Sequence, residues 1–283
     1  VLARGVAQHC VCADDAAGQS VVVSLASLES SYVFSSAPGL EPYAEDLPPL
    51  KMMIEYLTVL EGEFWVRLRG AGLTYGADLS HSVEERCVGF SLYRCTDPLA
   101  AYQAAQQIIA DYASGESVIS DVEFGNARAS LAYSLIASKS NKLSAAADAW
   151  SSAYDGRQVD HARWLLEQIA AVTPEQALHA LKRYIVPLFD GAASVISIST
   201  TTSKLAAVAD GLAAERGGNV VSYAGEEAVL KWVGDSVGDS VGDAKADAPP
   251  PATTTVTKTS CRPFAFAAKF KCECAKCVKP VSL

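Results

Sequence analysis

The sequence predicts an α+β fold, an antiparallel or mixed sheet with a helical layer on one face. Three observations carry that prediction. Two β-branched or aromatic stretches come first, a long block of segments with helical spacing follows, and one apolar strand returns late. Strands and helices alternating one by one would build a doubly wound parallel sheet, whereas strands grouped ahead of a helical block build segregated layers.

The elements follow in order. "QSVVVSLAS" (Gln19 to Ser27) and "SYVFSS" (Ser31 to Ser36) suit strands. "APGLEPYAEDLPP" (Ala37 to Pro49) is punctuated by proline and glycine and reads as loop. Leu50, Met53, Ile54, Leu57 and Leu60 then fall at helical spacing, with Pro48 and Pro49 at the mouth of the helix. "CVGFSLYRC" (Cys87 to Cys95) is again strand-like.

Asp97-Pro98 caps the next helix, whose apolar stripe runs Leu99, Tyr102, Ile109, Tyr112. Ser120 with Glu123 predicts a capping box for a second, and further helices are expected over Lys142 to Ala153 and Val159 to Val172. Thr173-Pro174 with Gln176 starts another that ends near Tyr184, before Pro187. "ASVISIST" (Ala193 to Thr200) reads as a buried strand and "SKLAAVADGLAAERG" as a final amphipathic helix.

Composition narrows the function classes. Half of the 283 residues are apolar and 19% charged, which is globular rather than disordered composition. A net charge of −9 argues against nucleic-acid binding, which needs a positive footprint. No apolar run reaches the roughly 18–20 residues that span a bilayer. Eight unevenly placed cysteines do not resemble a secreted disulfide framework, so an intracellular setting, cytosol or mitochondrial matrix, is expected. The chain opens with Val1 and is read as processed or as part of something longer.

Four regions are expected: an N-terminal extension (1–18), one domain (19–232), a flexible linker (233–257) and a basic, cysteine-rich tail (258–283). The linker repeats Val-Gly-Asp-Ser and carries a triple proline, so it has almost nothing to bury. The tail holds six basic residues against Glu273 alone, which puts +5 there and leaves −14 on the remainder.

"RLRGAGLTYGADLS" (Arg67 to Ser80) is the most distinctive stretch. A phosphate cradle needs its glycines between a strand and a helix N-terminus. Here they follow a helix and lead toward a strand, and no Gly-Lys-Ser/Thr is present. A helix-to-strand connection with glycines at positive φ is the plain reading.

A wider pattern stands beside it. "SLASLESSYVF", "DLPPLKMMIEYLTVLEGEFWVRLRGAGLTYGADL", "VGFSLYRCTDPLAAYQ" and "ALKRYIVPLFD" occur in that order. Together, over roughly Gln19 to Trp232, they resemble the C-terminal domain of pitrilysin/insulinase-type zinc metallopeptidases, nearest the long single-chain branch with presequence-protease-like members. The resemblance implies a mitochondrial-processing-peptidase-like domain in which two homologous halves close around an unfolded peptide. The N-terminal partner half would hold zinc through an inverted His-x-x-Glu-His motif, and this half would bind none. It would instead offer an Arg-x5-Tyr pair, matched here by Arg69 and Tyr75, with Gly70, Gly72 and Gly76 letting the substrate backbone approach.

Those residue types suit the task. A phenol or guanidinium can hydrogen-bond the oxyanion that develops on an attacked peptide carbonyl, and arginine's planar fork suits a carbonyl or carboxylate. The bland alternative pairs Arg69 with a carboxylate and simply packs Tyr75.

Other candidates are weaker. "HSVEE" (His81 to Glu85) is the nearest approach to the zinc motif, but Glu85 stands where a second histidine is needed, and the stretch reads as a solvated hairpin. His9, His161 and His179 show no partner spacing; the last two fall in expected helices, as surface or packing residues. In the tail, Cys261, Cys272, Cys274 and Cys277 could hold a metal, yet their spacing matches no common ligand pattern, and free thiols on a basic tail are the simpler reading. His9-Cys10-Val11-Cys12 is weaker still.

Two functions therefore stand open. One is the substrate-chamber half of a metalloendopeptidase, predicted inactive alone. The other is a structural subunit of a larger, mitochondrial-type assembly on the same fold, with linker and tail as attachment devices.

Overall fold

The computed structural model describes residues 17–83, 85–217, 220–225 and 227–228. The linker, the tail with its four cysteines, and the His9-Cys10-Val11-Cys12 segment lie outside the described residues, as does all but the end of the 1–18 extension.

Six strands form one mixed sheet in the order β3-β4-β2-β5-β1-β6. They are β1 (Ser20–Ser24), β2 (Ser31–Pro38), β3 (Thr74–Ser82), β4 (Cys87–Cys95), β5 (Val195–Thr200) and β6 (Val220–Ala224). β1 runs parallel to β5 and β6, while β2 is antiparallel to β4 and β5, and β3 to β4. Side-chain alternation sets the inner face: β2 alternates buried and half-buried residues along its whole length. Val33 sits between Leu92 of β4 and Ile198 of β5, and all three are buried. Tyr32, Phe34 and Ser36 point the other way. The inward serines of β2 are satisfied, with Ser35 Oγ donating to the Leu188 carbonyl at 2.7 Å and Ser31 Oγ 2.8 Å from Thr200 Oγ1.

The helices are α1 (Leu47–Thr58), α2 (Pro98–Ser114), α3 (Asp121–Ala137), α4 (Lys142–Tyr154), α5 (His161–Ile169), α6 (Pro174–Ala180) and α7 (Leu205–Arg216). Pro48 and Pro49 sit in the first turn of α1, where no backbone donor is lost. This helix buries Leu47, Leu50, Met52, Met53, Ile54, Tyr56 and Leu57, and so forms the centre of the helical layer. Asp46 precedes it without capping it; its carboxylate accepts instead from the Tyr184 hydroxyl at 2.7 Å and from Arg183 at 3.1 Å. Phe90 meets Phe64 at 5.9 Å and Phe189 at 5.1 Å between ring centres, which ties sheet to helices.

The predicted layers match, with local differences. Two strands return late, since β6 pairs with β1 beyond α7. α2 buries Tyr102, Ile109 and Tyr112 as its stripe predicts, but Leu99 is only half-buried. The Thr173/Gln176 capping box is complete. The Ser120/Glu123 box is half made: Ser120 accepts the Glu123 N–H at 3.4 Å, while the Glu123 carboxylate accepts from the Tyr56 hydroxyl at 3.3 Å.

The expected hairpin forms between β3 and β4, but His81 in it is not solvated. β3 continues through it, and the side chain is buried. Its Nε2 lies 3.0 Å from the Leu40 N–H and 3.1 Å from the Leu40 carbonyl, which pins the β2–α1 loop to the sheet. Burial, then the nearby charge of Lys51, pushes the ring down to about 3. His161 is likewise buried at the start of α5, with Nε2 2.7 Å from the Pro42 carbonyl of the same loop. His179 is exposed. Among the described residues no group of three or more His, Cys, Asp or Glu side chains gathers in a way that could hold a metal, and no helix is long and apolar enough to cross a membrane.

Candidate functional site

Beyond α1 the chain turns at Glu61, whose φ is 65°. It then winds through a π-helical turn, Trp65–Arg69, that the sequence reading did not anticipate. Its anchors are Phe64 and Leu68, both buried. The Gly70 N–H reaches the Trp65 carbonyl at 2.9 Å and the Leu73 N–H the Leu68 carbonyl at 3.1 Å, each a five-residue step. The wider ring sets residue 69 over residue 65, and such turns recur at functional sites.

The three glycines have three different reasons. A Cβ on Gly70 would lie 2.4 Å from the Val66 carbonyl oxygen, so the π turn closes only without a side chain. Gly72 adopts φ +74° in the turn toward β3. Gly76 faces Tyr93 across the β3–β4 ladder and has ordinary space above it, so it simply leaves the surface low.

This geometry brings Arg69 and Tyr75 together. The Arg69 guanidinium carbon lies 3.9 Å from the centre of the Trp65 ring and 4.6 Å from that of Tyr75, so the cation is clamped between two aromatic faces. Tyr75 stands 58% exposed and meets Tyr93 edge-on at 6.2 Å; Tyr93 in turn meets Tyr32 at 5.4 Å. An aromatic row thus crosses from the π turn over β3 and β4 to β2. Trp65 and Tyr93 were not singled out as site residues in the sequence. Their signal is the (i, i+4) spacing of Trp65 and Arg69, and the ladder register that sets Tyr93 opposite Gly76.

Neither bland alternative describes the pair. Arg69 makes no ion pair with a described residue, and the carboxylates nearby go to its neighbour: Arg67 bonds Asp111 at 2.8 Å and lies 3.8 Å from Glu63. Gln107 and then Arg67 hold the Asp111 carboxyl below the usual range. Tyr75 is exposed, and its hydroxyl bonds no described residue. What the site offers is a stacked guanidinium, a free phenol and an open aromatic surface.

No family model matches the sequence. Among curated proteins the chain is similar to an uncharacterized protein of Saccharomyces cerevisiae, 28% identical over 194 residues. It is also similar to one of Caenorhabditis elegans, 31% identical over 192 residues. These alignments cover 67% and 66% of this chain but 19% of each relative, so the chain spans about a fifth of their length.

Among solved structures it is similar to the peptidase M16 inactive domain from Pseudomonas fluorescens, at TM-score 0.51 and 16% identity, covering 65% of this chain and 44% of that one. A protease from Helicobacter pylori superposes at TM-score 0.54 and 12% identity, covering 64% and 44%. An inactive peptidase domain from Bordetella parapertussis superposes at 0.51 and 12%, covering 60% of this chain and 89% of that one. Strand order, helical layer and these superpositions agree, and the chain has the fold of a peptidase M16 inactive domain.

Proposed function

We propose that this chain is the non-catalytic half of a pitrilysin-type zinc metalloendopeptidase, one wall of the chamber that encloses an unfolded peptide. The observation that carries the reading is the Trp65–Arg69–Tyr75 clamp: a cation with no acidic partner among the described residues, beside a free phenol, on a fold shared with inactive peptidase domains. The guanidinium would hold the peptide backbone, and the Tyr75 hydroxyl would donate to the scissile carbonyl oxygen as negative charge develops there. The described residues do not fit zinc, because His81 is buried against Leu40 and no further donors gather near it. The metal and the general base would therefore come from a homologous N-terminal half, in keeping with relatives several times longer than this chain.

The test is direct. The isolated chain, supplied with zinc and unstructured peptides, should give no turnover, whereas mixing it with a zinc-bearing half should produce chelator-sensitive cleavage. Robust chelator-sensitive turnover by the isolated chain overturns the reading. So does activity of the zinc-bearing half that is unchanged by adding this chain.

A further inference from the structure

Seven of the nine described arginines have a polar partner. Arg67, Arg86, Arg157, Arg163 and Arg183 pair with carboxylates. Arg128 donates to the Ile169 and Val172 carbonyls, and Arg216 to Tyr102 and Ser194. The exceptions are Arg69 and Arg94, and the fold puts both beside Tyr75. Thr74 faces Cys95 and Gly76 faces Tyr93 across the β3–β4 ladder, which sets Arg94 directly opposite Tyr75.

Arg94 is held there by a distortion. On β2, Ser31 and Val33 are two residues apart, yet their partners on β4, Cys95 and Leu92, are three apart, so β4 carries one extra residue. Arg94 takes it up with φ 59°, a left-handed conformation that a side-chain-bearing residue adopts only under constraint. Such bulges re-aim side chains next to binding sites. Arg94 is exposed, as is Tyr93 beside it.

Two guanidinium groups with no polar partner among the described residues thus flank one tyrosine, and a guanidinium is the natural receptor for a carboxylate. The clamp narrows the chemistry further. Trp65 and Tyr75 both lie against the Arg69 guanidinium carbon, so the part of the group left for a ligand is its N–H edge. That edge presents parallel donors, which a carboxylate fills with two oxygens and an amide carbonyl with one. Resting on the reading under Proposed function, we infer that Arg69 and Arg94 together receive a carboxylate of the bound peptide, either its C-terminus or an Asp or Glu side chain. The adjoining peptide side chain lies on the Tyr93–Tyr32 row.

Fluorescence anisotropy on the full 283-residue chain tests this, with a labelled unstructured peptide in three forms: free C-terminus, amidated C-terminus, and internal Glu replaced by Gln. One of the two replacements should weaken binding about 10-fold, the order expected when a charge-assisted hydrogen bond is lost, and which one does so identifies the carboxylate. Arg94→Ala should weaken the carboxylate peptide by a similar factor and abolish its advantage over the neutral form. Arg69→Lys should do the same, because an ammonium keeps the charge without the fork. Trp65→Phe should retain most of the preference and Trp65→Ala lose it, with circular dichroism confirming that each variant is folded.

If the peptides bind, and Arg69→Ala or Tyr75→Phe weakens them equally in all three forms, the carboxylate inference falls and the chamber-wall reading stands. Binding indifferent to Arg69 and Tyr75, or no binding up to millimolar peptide, overturns both.

Discussion

Acidification should destabilise this protein, and His81 should carry a measurable share of the loss. His81 is buried, its Nε2 lies within hydrogen-bond distance of both the N–H and the carbonyl of Leu40 and engages one or the other according to its tautomer, and its Nδ1 has no hydrogen-bond partner. Protonation would put a second N–H and a full charge into that pocket, close to the Lys51 ammonium, which itself donates to the His81 carbonyl at 3.1 Å. The folded-state value is about 3, against about 6.5 in the unfolded chain. The unfolded state therefore binds the extra proton first. Stability is full above about pH 6.5 and is lost progressively as the pH falls from there toward 3. Between pH 7 and pH 5 the linkage amounts to about 2 kcal/mol, a sizeable share of the roughly 5–15 kcal/mol that holds a domain together.

Urea unfolding at pH 7 and pH 5, followed by far-ultraviolet circular dichroism, measures the difference. The comparison is His81→Gln, because a glutamine amide offers Leu40 both an acceptor and a donor and does not titrate. The variant should lose about 2 kcal/mol less than the natural protein between the two pH values. Subtracting the two removes the contribution of His161, which burial also holds below its usual range. An equal pH dependence in both proteins would refute the assignment, and would mean that the ring is accessible to water and protons in the folded state.

Further perturbations test the site and the core. In an enzyme reconstituted with a zinc-bearing half, Tyr75→Phe should lower kcat about 10²-fold with little change in KM, since a bond to developing charge acts mainly in the transition state. Arg69→Ala should raise KM as well, and a steady-state assay separates the two. Phe90→Ala removes the ring packed against Phe64, Tyr102 and Phe189 and should cost about 3–5 kcal/mol in a denaturant titration. Gly39→Ala would place a Cβ 2.7 Å from the Cys87 backbone and should cost about 1–3 kcal/mol, read as a lower melting temperature.

The layered fold was legible because its signals are local. The β-branched and aromatic run of β2, paired prolines at the head of α1 and the Thr173/Gln176 box each specify an element from a few adjacent residues. What local patterns do not carry is who competes for a side chain. Ser120 and Glu123 have the spacing of a capping box, yet Tyr56, sixty-seven residues from Glu123 in sequence, takes the carboxylate. His81 lies in a polar run that suggests solvent, yet its partner Leu40 belongs to a loop forty-one residues away. β6 went unread because its five residues, three exposed and two half-buried, carry little alternation, and pairing with β1 gives them their place.

The candidate site divides along the same line. Arg69 and Tyr75 stand six residues apart in a glycine-rich run, so composition and resemblance reach them. Trp65 joins them through its (i, i+4) spacing from Arg69 on a π turn that the absence of a side chain at Gly70 lets close. Arg94 joins them only because β4 gains a residue against β2, a property of three strands that none shows alone. Both additions arise from departures from regular geometry, a widened helical turn and a bulged strand. A regular helix and ladder would satisfy more of the backbone with less strain. That two departures meet at one exposed tyrosine, and there leave two arginines without acidic partners among the described residues, marks the proposed binding surface more sharply than any one residue does.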